Sequence, residues 1–171
     1  MQNIILVGFM GCGKSTLGKK IAKKLNIPFI DSDHEIERME GISISEIFAS
    51  KGEEYFRNLE HDFLVNLLNT ASSTSEKFVL SCGGGMPCFH ENMQLLNQIG
   101  TTFYLKLSVQ ELAKRLTLAK SVRPLVKDKS AEELHSFIDD KLNERKGFYE
   151  NANFILIGKE QNPTSILQKL A

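Results

Sequence analysis

At 171 residues, with 42% apolar and 25% charged side chains, the chain has the size and composition of one ordinary globular domain spanning residues 1–171, which argues against extended disorder. Lys plus Arg and Asp plus Glu both number 21, so the formal net charge of zero excludes a broad electrostatic hold on nucleic acid or anionic membrane and leaves any basic site to be local. The longest apolar stretches, Ile4 to Val7 and Phe154 to Ile157, fall far short of the roughly 20 residues that a membrane-spanning helix needs.

The chain begins directly on a β-branched run, Asn3 to Val7, read as the first strand. Met1-Gln2-Asn3 has none of the charge, apolar length or small-residue site of a secretory signal, so a cytoplasmic protein is expected. The strand leads into Gly8-Phe9-Met10-Gly11-Cys12-Gly13-Lys14-Ser15-Thr16, which fits Gly, four residues, Gly, Lys, Ser/Thr. Glycines suit a backbone that must curl with its N–H groups inward around phosphate oxygens, where a Cβ would obstruct. A helix starting near Lys14 would aim its positive end at the same place, Lys14 would add a point charge, and the Ser15 hydroxyl could ligate Mg²⁺. An unliganded Gly-rich turn is the bland alternative, but three glycines ahead of Lys-Ser-Thr suit no ordinary tight turn. Gly11, Cys12, Gly13, Lys14, Ser15 and Thr16 are therefore the expected triphosphate cradle for a nucleotide with Mg²⁺, and the loop alone leaves a kinase, a GTPase, an ATPase and a nonhydrolysing binder open.

Leu17, Ile21 and Leu25 share a helical face after the loop, and Phe29 to Asp31 forms a second strand. It ends in Asp31-Ser32-Asp33, where one carboxylate could serve Mg²⁺ and the other a substrate hydroxyl, unless Ser32 or Asp33 merely caps the next helix. Asp33 to Leu68 is helical in pattern but interrupted by Gly41 and Gly52, so several short helices are expected between the second and third strands, with residues 32–62 giving room for a substrate site. Within them Arg57 and Glu60 stand one helical turn apart, so the carboxylate could fix the guanidinium for a substrate carboxylate; an ordinary surface pair has the same spacing.

Phe78 to Ser81 reads as the third strand, followed by Cys82-Gly83-Gly84-Gly85-Met86-Pro87, a run that lets backbone approach a ring at the carboxyl edge of a parallel sheet. Thr102 to Lys106 and Phe154 to Ile157 complete five strands, and their alternation with helices implies a parallel sheet covered on both faces. Between two helical patterns, Lys120 to Ser130 is charged and carries Arg123-Pro124, as a mobile lid would. Cys12, Cys82 and Cys88 are odd in number and lack paired zinc spacing, so they read as reduced thiols.

Taken in order, the phosphate loop, Asp-Ser-Asp, Phe56-Arg57-x-x-Glu60, the triple glycine, Arg123-Pro124-Leu125 and Arg145 ahead of Tyr149 resemble the shikimate kinase family along nearly the whole chain. The resemblance implies a three-layer α/β/α P-loop kinase fold with a five-stranded parallel sheet, an inserted helical substrate-binding region and a lid loop at 120–130. It implies transfer of the γ-phosphoryl group of ATP to the 3-hydroxyl of shikimate, with Asp33, Arg57, Gly84, Gly85 and Arg145 as shikimate ligands. Asp31 would hold Mg²⁺ through water beside Ser15, Arg123 would swing onto the ATP phosphates, and Arg115 would pack on adenine. Lys14, Asp33 and Arg123 are then the catalytic set, with Asp33 a positioner of the hydroxyl first and a base second. The stretch Gln161-Asn162-Pro163 matches the family's adenine loop only loosely, and no acidic residue ends the third strand. A gluconate kinase need not place two arginines on a carboxylate, and a silent nucleotide-binding module need not keep Asp33, Arg57 and Arg123 together. A monomer is expected, with shikimate and ATP as partners and neither nucleic acid nor membrane.

Overall fold

The computed structural model describes residues 2–119 and 129–170. Five strands form one parallel sheet in the order β2-β3-β1-β4-β5: β1 is Asn3–Val7, β2 Phe29–Asp31, β3 Val79–Ser81, β4 Gly100–Lys106 and β5 Phe154–Ile157. The central strand β1 pairs Ile4 with Val79 on one side and with Thr101 on the other. Chain order thus departs in both directions from β1, which leaves a crevice beyond the carboxyl ends of the strands at that point.

Side chains alternate across β1 and feed two cores. Ile4 and Leu6 pack with Leu17 and Ile21 of α1 (Lys14–Leu25), Leu112 and Leu116 of α5 (Val109–Leu118), Leu134 and Ile138 of α6 (Ala131–Tyr149) and Ile166 of α7 (Pro163–Lys169). Ile5 and Val7 face the other layer, packing with Ile36 of α2 (Ser32–Glu40), Phe63 and Leu64 of α3 (Ile44–Ser73) and Leu96 of α4 (Asn92–Ile99). Strand residues with nothing exposed, such as Ile4 to Val7, are what a sheet covered on both faces requires. No helix among the described residues is long and apolar enough to cross a membrane.

The region between β2 and β3 is a set of helices interrupted at Gly41 and Gly52, as the sequence led us to expect. It holds α2, which ends at Gly41, and α3, whose 30 residues divide into two helices at Gly52 where φ is 83°. The break turns residues 44–51 away from the longer stem that carries Arg57 and Glu60. α3, α5 and α6 each open with a capping box, Ser43 with Glu46, Ser108 with Glu111 and Ser130 with Glu133, closing orphan N–H groups at about 1 kcal/mol each.

Candidate active site

α1 starts differently. Its cap residue is Gly13, at φ 105°, with no side chain to close the first turn and no acidic residue within it. The N–H groups of that turn therefore remain available to an anion, which the helix dipole also favours. Gly11 sits at φ 80°, so the two glycines supply the left-handed curl expected of the cradle. Lys14 is buried and its Nζ donates to the carbonyl oxygens of Gly8 (2.7 Å) and Phe9 (3.0 Å), with Cys12 Sγ 3.8 Å away. The ammonium is thus held inside the loop, and Thr16 is exposed on the turn beyond it.

Ser15 Oγ donates to Asp31 Oδ2 at 2.7 Å and lies 3.2 Å from Ser81 Oγ. Giving its proton to Asp31 leaves the Ser15 oxygen lone pairs for a cation, and the set of hard oxygen donors fits Mg²⁺. Among the described residues no group of three or more His, Cys, Asp and Glu side chains could hold a metal, so an ion here would complete its shell from water and phosphate oxygens. Asp31 occupies the cap position of α2 without making a capping bond. Ser32 caps nothing either: its buried hydroxyl accepts from the Gly83 N–H at 2.8 Å and anchors the glycine run. Ser32 is thus an anchor for the glycine run and not a helix cap.

The glycine run is a crossing point for side chains. A Cβ on Gly83 would collide with Asp33 Oδ1 and stand 3.3 Å from Glu60 Oε1; one on Gly85 would stand 2.6 Å from Arg57 Nη1. A Cβ on Gly84 would lie 3.5 Å from Arg145 Nη1 and 3.4 Å from the Met10 N of the phosphate loop. Gly83 and Gly85 leave the room that Asp33 and the Arg57 guanidinium take up against the backbone, whereas Arg145 stands at ordinary contact distance from Gly84. Arg57 is held by Glu60 at 2.7 Å and Glu53 at 2.8 Å, and its guanidinium carbon lies 4.2 Å from the ring centre of Phe89. Burial raises the Glu60 carboxyl to about 7, an effect that the Arg57 charge opposes and nearby Asp33 reinforces. Arg145 lies 5.8 Å from the Phe9 ring centre, and the Tyr149 hydroxyl, kept protonated by burial, donates to the Gly84 carbonyl.

On the opposite flank of the phosphate loop, a cleft of about 460 Å³ is lined by Gly11, Gly13, Thr16, Lys20, Arg115, Gln161 and Pro163 among others. Arg115 reaches it from α5 and donates to the Cys12 carbonyl at 2.9 Å. The expected residues are thereby brought to one edge of the sheet: Asp31, Asp33, Arg57, Gly84, Gly85 and Arg145 on one side of the phosphate loop, and Arg115 on the other. Arg123 and the lid around it lie outside the described residues. The sequence reading missed Ser32, Ser81, Phe89 and Tyr149 as partners of the site, and only Tyr149, placed four residues after Arg145, carried any signal.

The shikimate kinase family model matches residues 10–171. A shikimate kinase of Parabacteroides distasonis is 46% identical over 153 residues, covering 90% of this chain and 86% of its own. The crystal structure of shikimate kinase from Bacteroides thetaiotaomicron superposes with a TM-score of 0.86 at 39% identity, covering 99% of this chain and 97% of that one. A structure of the Acinetobacter baumannii shikimate kinase in complex with shikimate superposes with a TM-score of 0.79 at 35% identity, covering 99% and 90%. With the phosphate loop, the paired aspartates and the two arginines all at one edge of the matching sheet, the chain belongs to the shikimate kinase family.

Proposed function

We propose that this chain transfers the γ-phosphoryl group of ATP to the 3-hydroxyl of shikimate, giving shikimate 3-phosphate and ADP. The observation that carries this reading is the convergence of Arg57 and Arg145 on consecutive glycines, next to Asp33 and within contact of the phosphate loop. Two guanidinium groups against neighbouring glycines suit an anionic ligand, and a carboxylate meets an arginine fork through paired, charge-assisted hydrogen bonds. Asp33, against Gly83 at the start of the same run, orients the acceptor hydroxyl. In a loose transition state the hydroxyl need not lose its proton early, so Asp33 is a positioning group before it is a base.

Phosphoryl transfer asks the protein for in-line placement and for charge neutralisation on the γ-phosphoryl group. Lys14 and the uncapped N–H groups in the first turn of α1 supply charge and donors, and Gly11 to Thr16 cradle the triphosphate. Mg²⁺, held by Ser15 and through water by Asp31, would neutralise the β- and γ-phosphate oxygens. Arg115 lies against the nucleotide base, and Arg123 adds positive charge to the ATP phosphates. Residues 32–62 form the substrate-binding region of one 171-residue kinase domain, acting as a monomer in the cytoplasm, where ATP is abundant and free thiols such as Cys12 and Cys82 persist.

The decisive measurement is a coupled ADP-release assay with ATP and Mg²⁺ against shikimate, quinate, gluconate and nucleoside monophosphates. Turnover with shikimate well above the other acceptors is expected. Preference for gluconate or a nucleoside monophosphate overturns the assignment, as does ADP release that no acceptor stimulates.

A further inference from the structure

We infer that His61 is a positioning residue for the acceptor site: through Asn92 it docks the turn that sets Phe89 against Arg57. This rests on the reading above that Arg57 binds the carboxylate of shikimate.

The chain leaves the glycine run through one 3-10 turn, Met86–Cys88, and enters α4 at Asn92. Between them His90 and Glu91 stand at φ 49° and 57°, so two consecutive residues that carry a Cβ occupy the left-handed region. Such a pair costs free energy and persists only where its surroundings impose it. Asn92, with no exposed surface, is one such constraint. Its Nδ2 donates to the Met86 carbonyl at 3.0 Å and its backbone N–H to the Phe89 carbonyl at 2.9 Å. The segment 86–92 is thereby closed on itself, with Phe89 at its midpoint, where the ring centre lies 4.2 Å from the Arg57 guanidinium carbon.

A closed turn must still be docked on the helix that carries Arg57, and His61 makes that connection. It stands on α3 four residues beyond Arg57, so both side chains leave the same face of the helix. His61 Nδ1 lies 2.9 Å from Asn92 Oδ1, and its ring centre lies 5.5 Å from that of His90. The histidine therefore touches both sides of the strained pair. Because Asn92 Nδ2 faces the Met86 carbonyl, the atom that faces His61 is an oxygen, and His61 Nδ1 carries the proton and donates. Without that donor the Asn92 oxygen is buried and unpaired, and the left-handed turn loses a restraint on the side nearest Arg57. Arg57 keeps its ion pairs to Glu53 and Glu60, so the loss falls on the placement of Phe89.

The test compares His61→Leu with His61→Asn, side chains of nearly equal size of which only Asn can set an N–H where Nδ1 stands. His61→Leu should raise KM for shikimate about 3–10-fold, the size expected for a displaced aromatic face, with kcat and KM for ATP near native. His61→Asn should stay within about 2-fold of the native chain. In a Phe89→Leu background the ring that His61 positions is gone, so adding His61→Leu should change KM by less than about 2-fold, whereas a merely structural histidine would multiply the two defects. Equal KM for the Leu and Asn variants, or full multiplication with Phe89→Leu, overturns the inference. A measurement on the native chain does not depend on how any variant folds: the ¹⁵N shifts of the neutral His61 ring should report the Nδ1–H tautomer, and the Nε2–H tautomer overturns the inference. Arg57→Ala separates the two levels. If it leaves shikimate KM unmoved, the carboxylate is not bound there and both readings fall; if it raises KM while His61→Leu leaves KM native, His61 alone loses its role.

Discussion

Arg57 Nη1 and Glu60 Oε2, 2.7 Å apart, form the most buried ion pair among the described residues, with side-chain exposures of 9% and 1%. The pair couples the acceptor site to pH. Burial lifts Glu60 from 4.5 to about 7 even though Arg57 pulls the other way, so the fold favours the protonated form. A folded pKa above the unfolded one means that the folded chain binds more protons between the two values. That contribution to stability is complete below about 4.5 and is lost as pH rises through about 7. Relative to Glu60→Gln, the native chain should lose about 2–3 kcal/mol between pH 5 and pH 8, read from urea midpoints at each pH. Parallel pH profiles for the two proteins would show that Glu60 does not titrate in this range.

Phe89 gives Arg57 a second restraint, the ring centre lying 4.2 Å from the guanidinium carbon. Phe89→Leu keeps apolar volume and removes the aromatic face. It should raise KM for shikimate about 3–10-fold with KM for ATP unchanged, because about 1 kcal/mol of cation–π attraction orients the arginine. Phe89→Tyr should restore it. Equal kinetics for the Leu and Tyr variants would reduce Phe89 to packing.

The glycine run offers a sharper dissection. Gly85→Ala places a Cβ 2.6 Å from Arg57 Nη1, and Gly83→Ala drives one into Asp33 Oδ1. The first should weaken shikimate use mainly through KM, by about 10-fold or more, since it displaces Arg57, the proposed carboxylate-binding group. The second should act mainly on kcat, because it displaces the group that aims the hydroxyl. Both variants should bind ATP as the native chain does. Identical kinetic defects in the two would mean that Arg57 and Asp33 do not have separate roles.

How much of this could be read in the sequence depended on distance along the chain. β1, β2 and β5 match their β-branched runs residue for residue, because local composition and flanking turns define them. β4 starts at Gly100, two residues before its Thr102 run, because pairing of Asn3 with Gly100 extends it from the neighbouring strand. α4 and α7, of eight and seven residues, are too short for a secure helical period and went unassigned. In the site, the contiguous phosphate loop and the Arg57–Glu60 turn were legible, since their partners lie within one motif. Ser32 on Gly83, Ser15 on Ser81 and Tyr149 on Gly84 join residues 51, 66 and 65 positions apart, and no local pattern signals such contacts.

The Ser15–Asp31 contact leads to the last prediction. At 2.7 Å the Ser15 hydroxyl donates to Asp31 Oδ2, which fixes the oxygen that would meet Mg²⁺, while Asp31 supplies negative charge to waters around the ion. Asp31→Asn keeps shape and can still accept through its amide oxygen, but it removes the charge. The Mg²⁺ concentration for half-maximal activity should therefore rise about 10-fold or more, the loss typical of a disturbed outer-shell partner. KM for shikimate should stay near the native value, because Asp31 faces the phosphate loop while Asp33 faces the glycine run. Ser15→Ala should share the Mg²⁺ defect, and the double variant should be little worse than the worse single one, since both act on the same ion. Additive losses, or a shift in shikimate KM that matches the shift in Mg²⁺ requirement, would separate Ser15 from Asp31 and remove the shared metal site from the mechanism.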